Sequence, residues 1–169
     1  LQISHDGANS YVENITNDLL FINYADGGDI IFKSDDGSGG VATYFKLSGV
    51  TSKTIFSKTL NLQDSVSLYL GTGNDLQLVH NSTNSEIVNA TGNLTIKNNT
   101  DDGDIIFSCD DGSGGVTTYF KLDGRATTTV FDKDTRHSDN VKALFGGNND
   151  FKIYHDATDS IIDNATGDL

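Results

Sequence analysis

The chain of 169 residues carries a formal net charge of −13, a single Cys and no Pro, Met or Trp. That charge opposes binding to a polyphosphate backbone, which needs Lys and Arg, and docking on anionic lipid headgroups. The lone thiol, Cys109, excludes a disulfide framework. The hydrophobic fraction of 36% sits below the roughly 45–50% of globular domains, a figure that counts Gly. The 18 Gly nearly close the gap but fill no core.

In chain order, Leu1, Ile3 and His5 alternate with polar residues and predict a short strand with one buried face. Gly7, Ala8 and Asn9 read as a turn, residues 11–14 as a second strand and residues 16–18 as another turn. Leu19 and Phe21 mark a third strand. Residues 29–33 form a strand, 34–40 a loop, and 41–47 a strand with large apolar groups on both faces. Such a pair is expected to be buried on both sides or to pack against another chain. A short strand over 54–57, an irregular stretch over 57–64, a strand around Val66, Leu68 and Leu70, and a glycine-rich closing segment over 71–75 complete the pattern. Seven or eight short strands per copy are expected, and no segment shows a helical stripe.

The pattern then starts again. Leu1, Leu76 and Phe151 open three copies at an ungapped spacing of 75 residues. LQISHDGANS, LQLVHNSTNS and FKIYHDATDS align residue for residue, and about half of the positions in the two full copies are identical. The units are residues 1–75, 76–150 and the start of a third copy over 151–169. The chain reads as a window on a longer polypeptide. An ungapped period means copies stacked along an axis. One copy carries too little apolar surface for a globule, and its short strands leave open edges. Winding identical chains together hides those edges, because each copy meets its twin at the same height. The expected fold is all-β, an elongated repeat fibre of short strands. It takes the form of a parallel homotrimeric β-solenoid or an intertwined triple β-helix.

The motifs LQISHDGANSYVEN from Leu1, NATGNLTI from Asn89, DDGDIIF from Asp101 and DDGSGGVTTYFKLDG from Asp110 carry a resemblance. They are similar to repeats of tail-fibre and other virion appendage proteins of marine bacteriophages, including those of cyanobacteria. The resemblance covers essentially the whole chain. It implies a fibrous, trimeric, β-rich shaft outside the cell on a virus particle. Its partners would be its own copies and other appendage proteins, with the host surface met only indirectly through a distal tip.

Several residue groups invite a chemical reading. His5, His80 and His155 share one repeat position on the apolar side of their strand. Three imidazoles meeting on a trimer axis can bind a divalent ion; a neutral His satisfied by backbone or by the following acidic residue is the plainer account. His137 aligns with Leu62 and has no repeat support. Asp35 and Asp36, repeated as Asp110 and Asp111, stand beside glycines and offer oxygens to calcium. The same loop lacks the ligand spacing of an EF-hand and the Lys of a phosphate loop, and reads as a hairpin whose glycines supply positive φ. Residues 71–76 look like a fragment of a calcium-binding nonapeptide, but that architecture needs the motif every nine residues or so. Lys46 and Lys121 lie among aromatic residues that can stack sugars; ring packing with the lysine reaching water is simpler. Sequons at Asn14, Asn89 and Asn164 are expected by chance in so Asn-rich a chain.

Duplicated loop carboxylates do not make the single cleft that glycan cleavage requires, so no catalytic residue is assigned. No cofactor or metal is assigned either. The expected function is the structural shaft of a virion appendage. Its rivals are a calcium-stiffened extracellular adhesin or surface-layer repeat, and a polysaccharide depolymerase tailspike.

Overall fold

The computed structural model describes residues 1–168, and these are all-β. Two units divide the chain, Leu1–Asn93 and the segment from Leu94 onward. The first unit holds three sheets. β1 (Gln2–His5) pairs with β2 (Ser10–Glu13); β3 (Ile30–Asp35), β4 (Val41–Ser48) and β5 (Lys53–Phe56) form an antiparallel meander; β6 (Leu68–Leu70), β7 (Leu76–His80) and β8 (Ser85–Asn89) form another. The second unit repeats two of these. β9 (Ile105–Asp110), β10 (Val116–Asp123) and β11 (Thr128–Phe131) match β3 to β5, and β12 (Ala143–Phe145), β13 (Phe151–His155) and β14 (Ser160–Asn164) match β6 to β8.

Each 75-residue copy therefore contributes six strands, not seven or eight. The missing strand is the one expected at Leu19 and Phe21, and at Leu94 and Ile96 in the second copy. These residues run in irregular backbone, and their N–H and carbonyl groups join no ladder among the described residues. The glycine-rich segment over 71–75 turns the chain from β6 into β7, with the Asn74 N–H donating to the Gly71 carbonyl at 3.2 Å. The sheet frame is thus offset from the repeat frame: β6 belongs to one copy, β7 and β8 to the next.

Register explains the side-chain order. Phe32, Phe45 and Phe56 oppose one another across three strands. Their ring centroids stand 4.3 and 5.9 Å apart, and Phe107, Phe120 and Phe131 repeat the ladder at 4.4 and 5.9 Å. A β-bulge leaves Tyr44 and Tyr119 unpaired in register, and each hydroxyl reaches back 2.9 Å to the carbonyl of Asp35 or Asp110. In the other kind of sheet, Leu68, Leu70, Leu76, Leu78 and Ile87 share a face.

None of these faces is covered. Within each unit, strands touch only their hydrogen-bonded neighbours, so every sheet is a single layer. Among the described residues no apolar side chain is buried, and Ser48 alone of the polar residues is. The expectation of one buried face for the strand at Ile3 and His5 fails, since Ile3 is 76% exposed. The double burial expected of β3 and β4 is likewise not achieved within the chain, because no second layer exists to supply it.

Backbone geometry recurs with the repeat even where residues change. Gly7, Ser82 and Ala157 all take positive φ, as do Ser52 and Thr127. The backbone closes tightly where β4 and β10 end: an alanine Cβ at Gly49 would run into the Gly28 carbonyl oxygen, and one at Gly124 into that of Gly103. Gly124→Ala is expected to destabilise its sheet by about 1–3 kcal/mol, read as a lowered denaturation midpoint. Gly147, whose Cβ would meet nothing, is the control, with Gly147→Ala within about 0.5 kcal/mol of zero.

Candidate functional site

The acidic and amide side chains that stood out in the sequence are occupied by the chain's own backbone. In the loop between β3 and β4, Asp36 Oδ1 accepts from the Ser38 N–H at 2.8 Å, the Ser38 hydroxyl at 2.8 Å and the Gly40 N–H at 3.0 Å. Asp111 does the same with Ser113 and Gly115 at 2.7 to 3.0 Å. Asp35 and Asp110 each accept from the glycine two residues on, at 2.7 and 2.8 Å. Gly37, Gly39, Gly112 and Gly114 take positive φ in these loops, as a tight hairpin demands. The Ser38 hydroxyl, then the Ser38 and Gly40 N–H groups, hold the Asp36 carboxyl below its ordinary value, and Ser113 and Gly115 do so for Asp111.

The same device closes other turns. Asp6, Asn81 and Asp156 each accept from the N–H groups two and three residues ahead. Asn14 and Asn89 each donate to two carbonyls of the following turn at 2.9 to 3.0 Å, and Asn164 to the Gly167 carbonyl at 2.9 Å. The sequon asparagines are therefore turn clamps. Their recurrence at one position of all three copies was the signal, and a chance reading of the sequons misses it. Asn23 and Asn98 clamp the carbonyls of Asp29 and Asp104 at 3.0 and 2.9 Å.

Asp29 and Asp104 were not singled out by sequence reasoning. Each ties a lysine and a turn together. Asp29 accepts from Lys46 Nζ at 2.8 Å and from the Gly49 N–H at 3.0 Å; Asp104 accepts from Lys121 at 2.9 Å and from Gly124 at 3.0 Å. Lys121 also meets Asp123 at 2.9 Å. Hydrogen bonds from the lysines are the main cause of the lowered Asp29 and Asp104 carboxyls, and Asp123 is the main cause of the raised Lys121 ammonium. Lys46 and Lys121 thus end on carboxylates, while elsewhere Lys142 Nζ stands 4.6 Å from the centroid of the Tyr154 ring.

The three repeat histidines lie exposed on three separate sheets. His5 Nδ1 stands 3.3 Å from the Ser10 hydroxyl and His80 Nδ1 3.1 Å from that of Ser85. The partner is the serine opposite on the next strand, while Asp6 serves its own turn and the Tyr11 hydroxyl at 2.7 Å. Among the described residues no group of three or more His, Cys, Asp or Glu gathers in metal-binding geometry. An open apolar groove in the first unit is lined by Leu60, Leu62, Val66, Leu68, Leu78 and Ile87, with His80 and Ser85 in its wall. Glu86 lies beside them and accepts from the Asn81 side-chain amide at 2.9 Å. No helix is long and apolar enough to cross a membrane among the described residues.

No protein-family model, curated protein or solved structure matches this chain.

Two outcomes are expected. The Asn9 N–H, the Tyr11 hydroxyl and the Ala8 N–H lower Asp6 from 3.8 to about 2. A lowered carboxylate contributes stability that is complete above its unfolded value and lost as pH falls through its folded value. The first turn should therefore hold above pH 3.8 and open toward pH 2, followed by amide exchange at Ala8 and Asn9; Asp6→Asn should remove that transition. Because the loop carboxylates are engaged by backbone, chelation with EDTA should leave the melting midpoint unchanged. A fall reversed by calcium would instead assign Asp36 and Asp111 to a cation.

Proposed function

We propose that this chain is a shaft segment of a virion appendage of the tail-fibre kind, a structural element that gains its cohesion by assembling as a parallel homotrimer. The carrying observation is the absence of any buried apolar side chain among the described residues, in a chain whose strands and turns are otherwise well formed. Its accessible surface is 13754 Å². A compact monomer of 18.1 kDa exposes about 8,100 Å². An excess of several thousand Å² is the size that obligate assemblies bury.

A sister copy is the partner that fits. The bare face around Leu68, Leu78 and Ile87 returns 75 residues later around Ala143, Ile153 and Ile162. The bare aromatic ladder returns likewise. Only a partner with the same period meets every copy alike, and an identical chain in register has it by construction. The motif resemblance to marine phage appendages adds the setting: outside the cell, on a virus particle, joined to other appendage proteins and reaching the host surface indirectly. In this reading the chain performs no catalysis, needs no cofactor, and touches neither nucleic acid nor membrane. Its work is reach and stiffness.

Light scattering with small-angle X-ray scattering tests the reading. The expected particle has three chains and a rod-like profile. A monomer at micromolar concentration, or a rounded particle, overturns it.

A further inference from the structure

The segment expected as a third strand is the least explained part of the chain. Residues 19–22 read Leu-Leu-Phe-Ile, and the equivalent residues 94–97 read Leu-Thr-Ile-Lys. Four consecutive apolar residues stand in water in the first copy, with Leu20 70% and Phe21 62% exposed. No backbone group of residues 18–22 or 93–97 makes a hydrogen bond among the described residues. Apolar content this high does not belong to a solvated linker. Both copies place the segment at the same point of the repeat, between a turn clamped by Asn14 or Asn89 and one clamped by Asn23 or Asn98.

We infer that residues 19–22 and 94–97 are strands donated between chains, each completing a sheet of a sister copy along the open edge of β3 or β9. This deepens the homotrimer reading and rests on it. The acceptor follows from the inventory of edges. β6 and β12 have three residues, β1, β2, β5 and β11 have four, and β8 and β14 carry Glu86 and Asp163. Short strands and charged residues are the usual guards of an edge. β3 and β9, with six residues each, are the longest edge strands among the described residues, pair on one side only, and begin Ile-Ile-Phe ahead of their charged residues Lys33, Asp35 and Asp110. Their own chain does not use that edge: residues 25–28 turn away, with the Gly28 N–H on the Ala25 carbonyl at 2.9 Å. Strand addition gives partners to the N–H and carbonyl groups on one side of the segment and places its alternate side chains on the two bare faces.

Amide exchange by mass spectrometry on the assembled chain tests this, with light scattering on the same sample. Protection of residues 19–22 and 94–97 by about 100-fold over free peptide is expected, equal to that of paired strands. A monomer in the scattering experiment overturns the homotrimer and this inference together. An assembled particle whose two segments exchange freely overturns the strand donation alone. Proline substitution supplies the second measurement, since successive N–H groups of a strand point to opposite sides. Of the pairs Leu20→Pro with Thr95→Pro and Phe21→Pro with Ile96→Pro, one should raise the dissociation constant of the assembly by about tenfold or more. Circular dichroism should show the chain's own strands retained. If both pairs assemble as the parent does, the inference fails.

Discussion

Every sheet in this chain is one layer thick, and that constraint governs the rest. A sheet ordinarily buries one face against a helix or a second sheet. Here the Phe32 ladder and the Leu68–Leu78–Ile87 face meet no second sheet within their unit, and the loop residues Leu60 and Leu62 flank the latter. The hydrophobic effect, usually the largest favourable contribution to folding, is largely unused by the single chain. Whatever holds each meander in shape must come from inside it.

Hydrogen bonding supplies that local cohesion. Ladders join the strands, and side chains of Asp and Asn close the ends. Asp36 and Asp111 take three donors each, Asp6 and Asp156 take consecutive N–H groups, and Asn14 and Asn89 bridge two carbonyls. The Asp29–Lys46 and Asp104–Lys121 pairs fasten the start of one strand to its neighbour and to the turn beyond. Part of the net charge of −13 is therefore structural, since carboxylates are the acceptors that tight turns require. Turns that carry their own hydrogen-bond partners form without help from distant parts of the chain. That property suits a repeat whose units must adopt one shape many times over.

The two halves of the design belong together in the proposed shaft. Self-sufficient turns fix where each strand begins and ends, while the proposal assigns the bare faces and the apolar segments at Leu20 and Ile96 to identical chains. Charge in the strands, such as Lys46 and Glu86, lies on the faces opposite the Phe32 and Leu68 ladders. Repulsion between the acidic loops of separate particles would oppose lateral clumping, and the uncharged faces leave axial self-association unhindered.

Much of this was legible in the amino-acid order. The 75-residue period, the hairpin at Asp36, the turn at residues 71–75 and the strands at Ile31 and Phe45 all follow from local patterns, because turn chemistry and two-residue alternation act over short distances. Leu19 and Phe21 have the alternation of a strand and yet lie unpaired, since alternation reports a fitting side-chain pattern and a strand also needs a neighbour. The Asn14 clamps were hidden behind a sequon pattern, and Asp29 carried no motif at all; its role appears only when Lys46 and Gly49 are brought to it from 17 and 20 residues away. The sequence alone determined the repeat, the strands and the acidic turns, all short-range properties. Only the tertiary structure decided that the sheets stay single and their apolar faces open, because burial depends on which surfaces meet, and within each unit no second sheet meets them among the described residues.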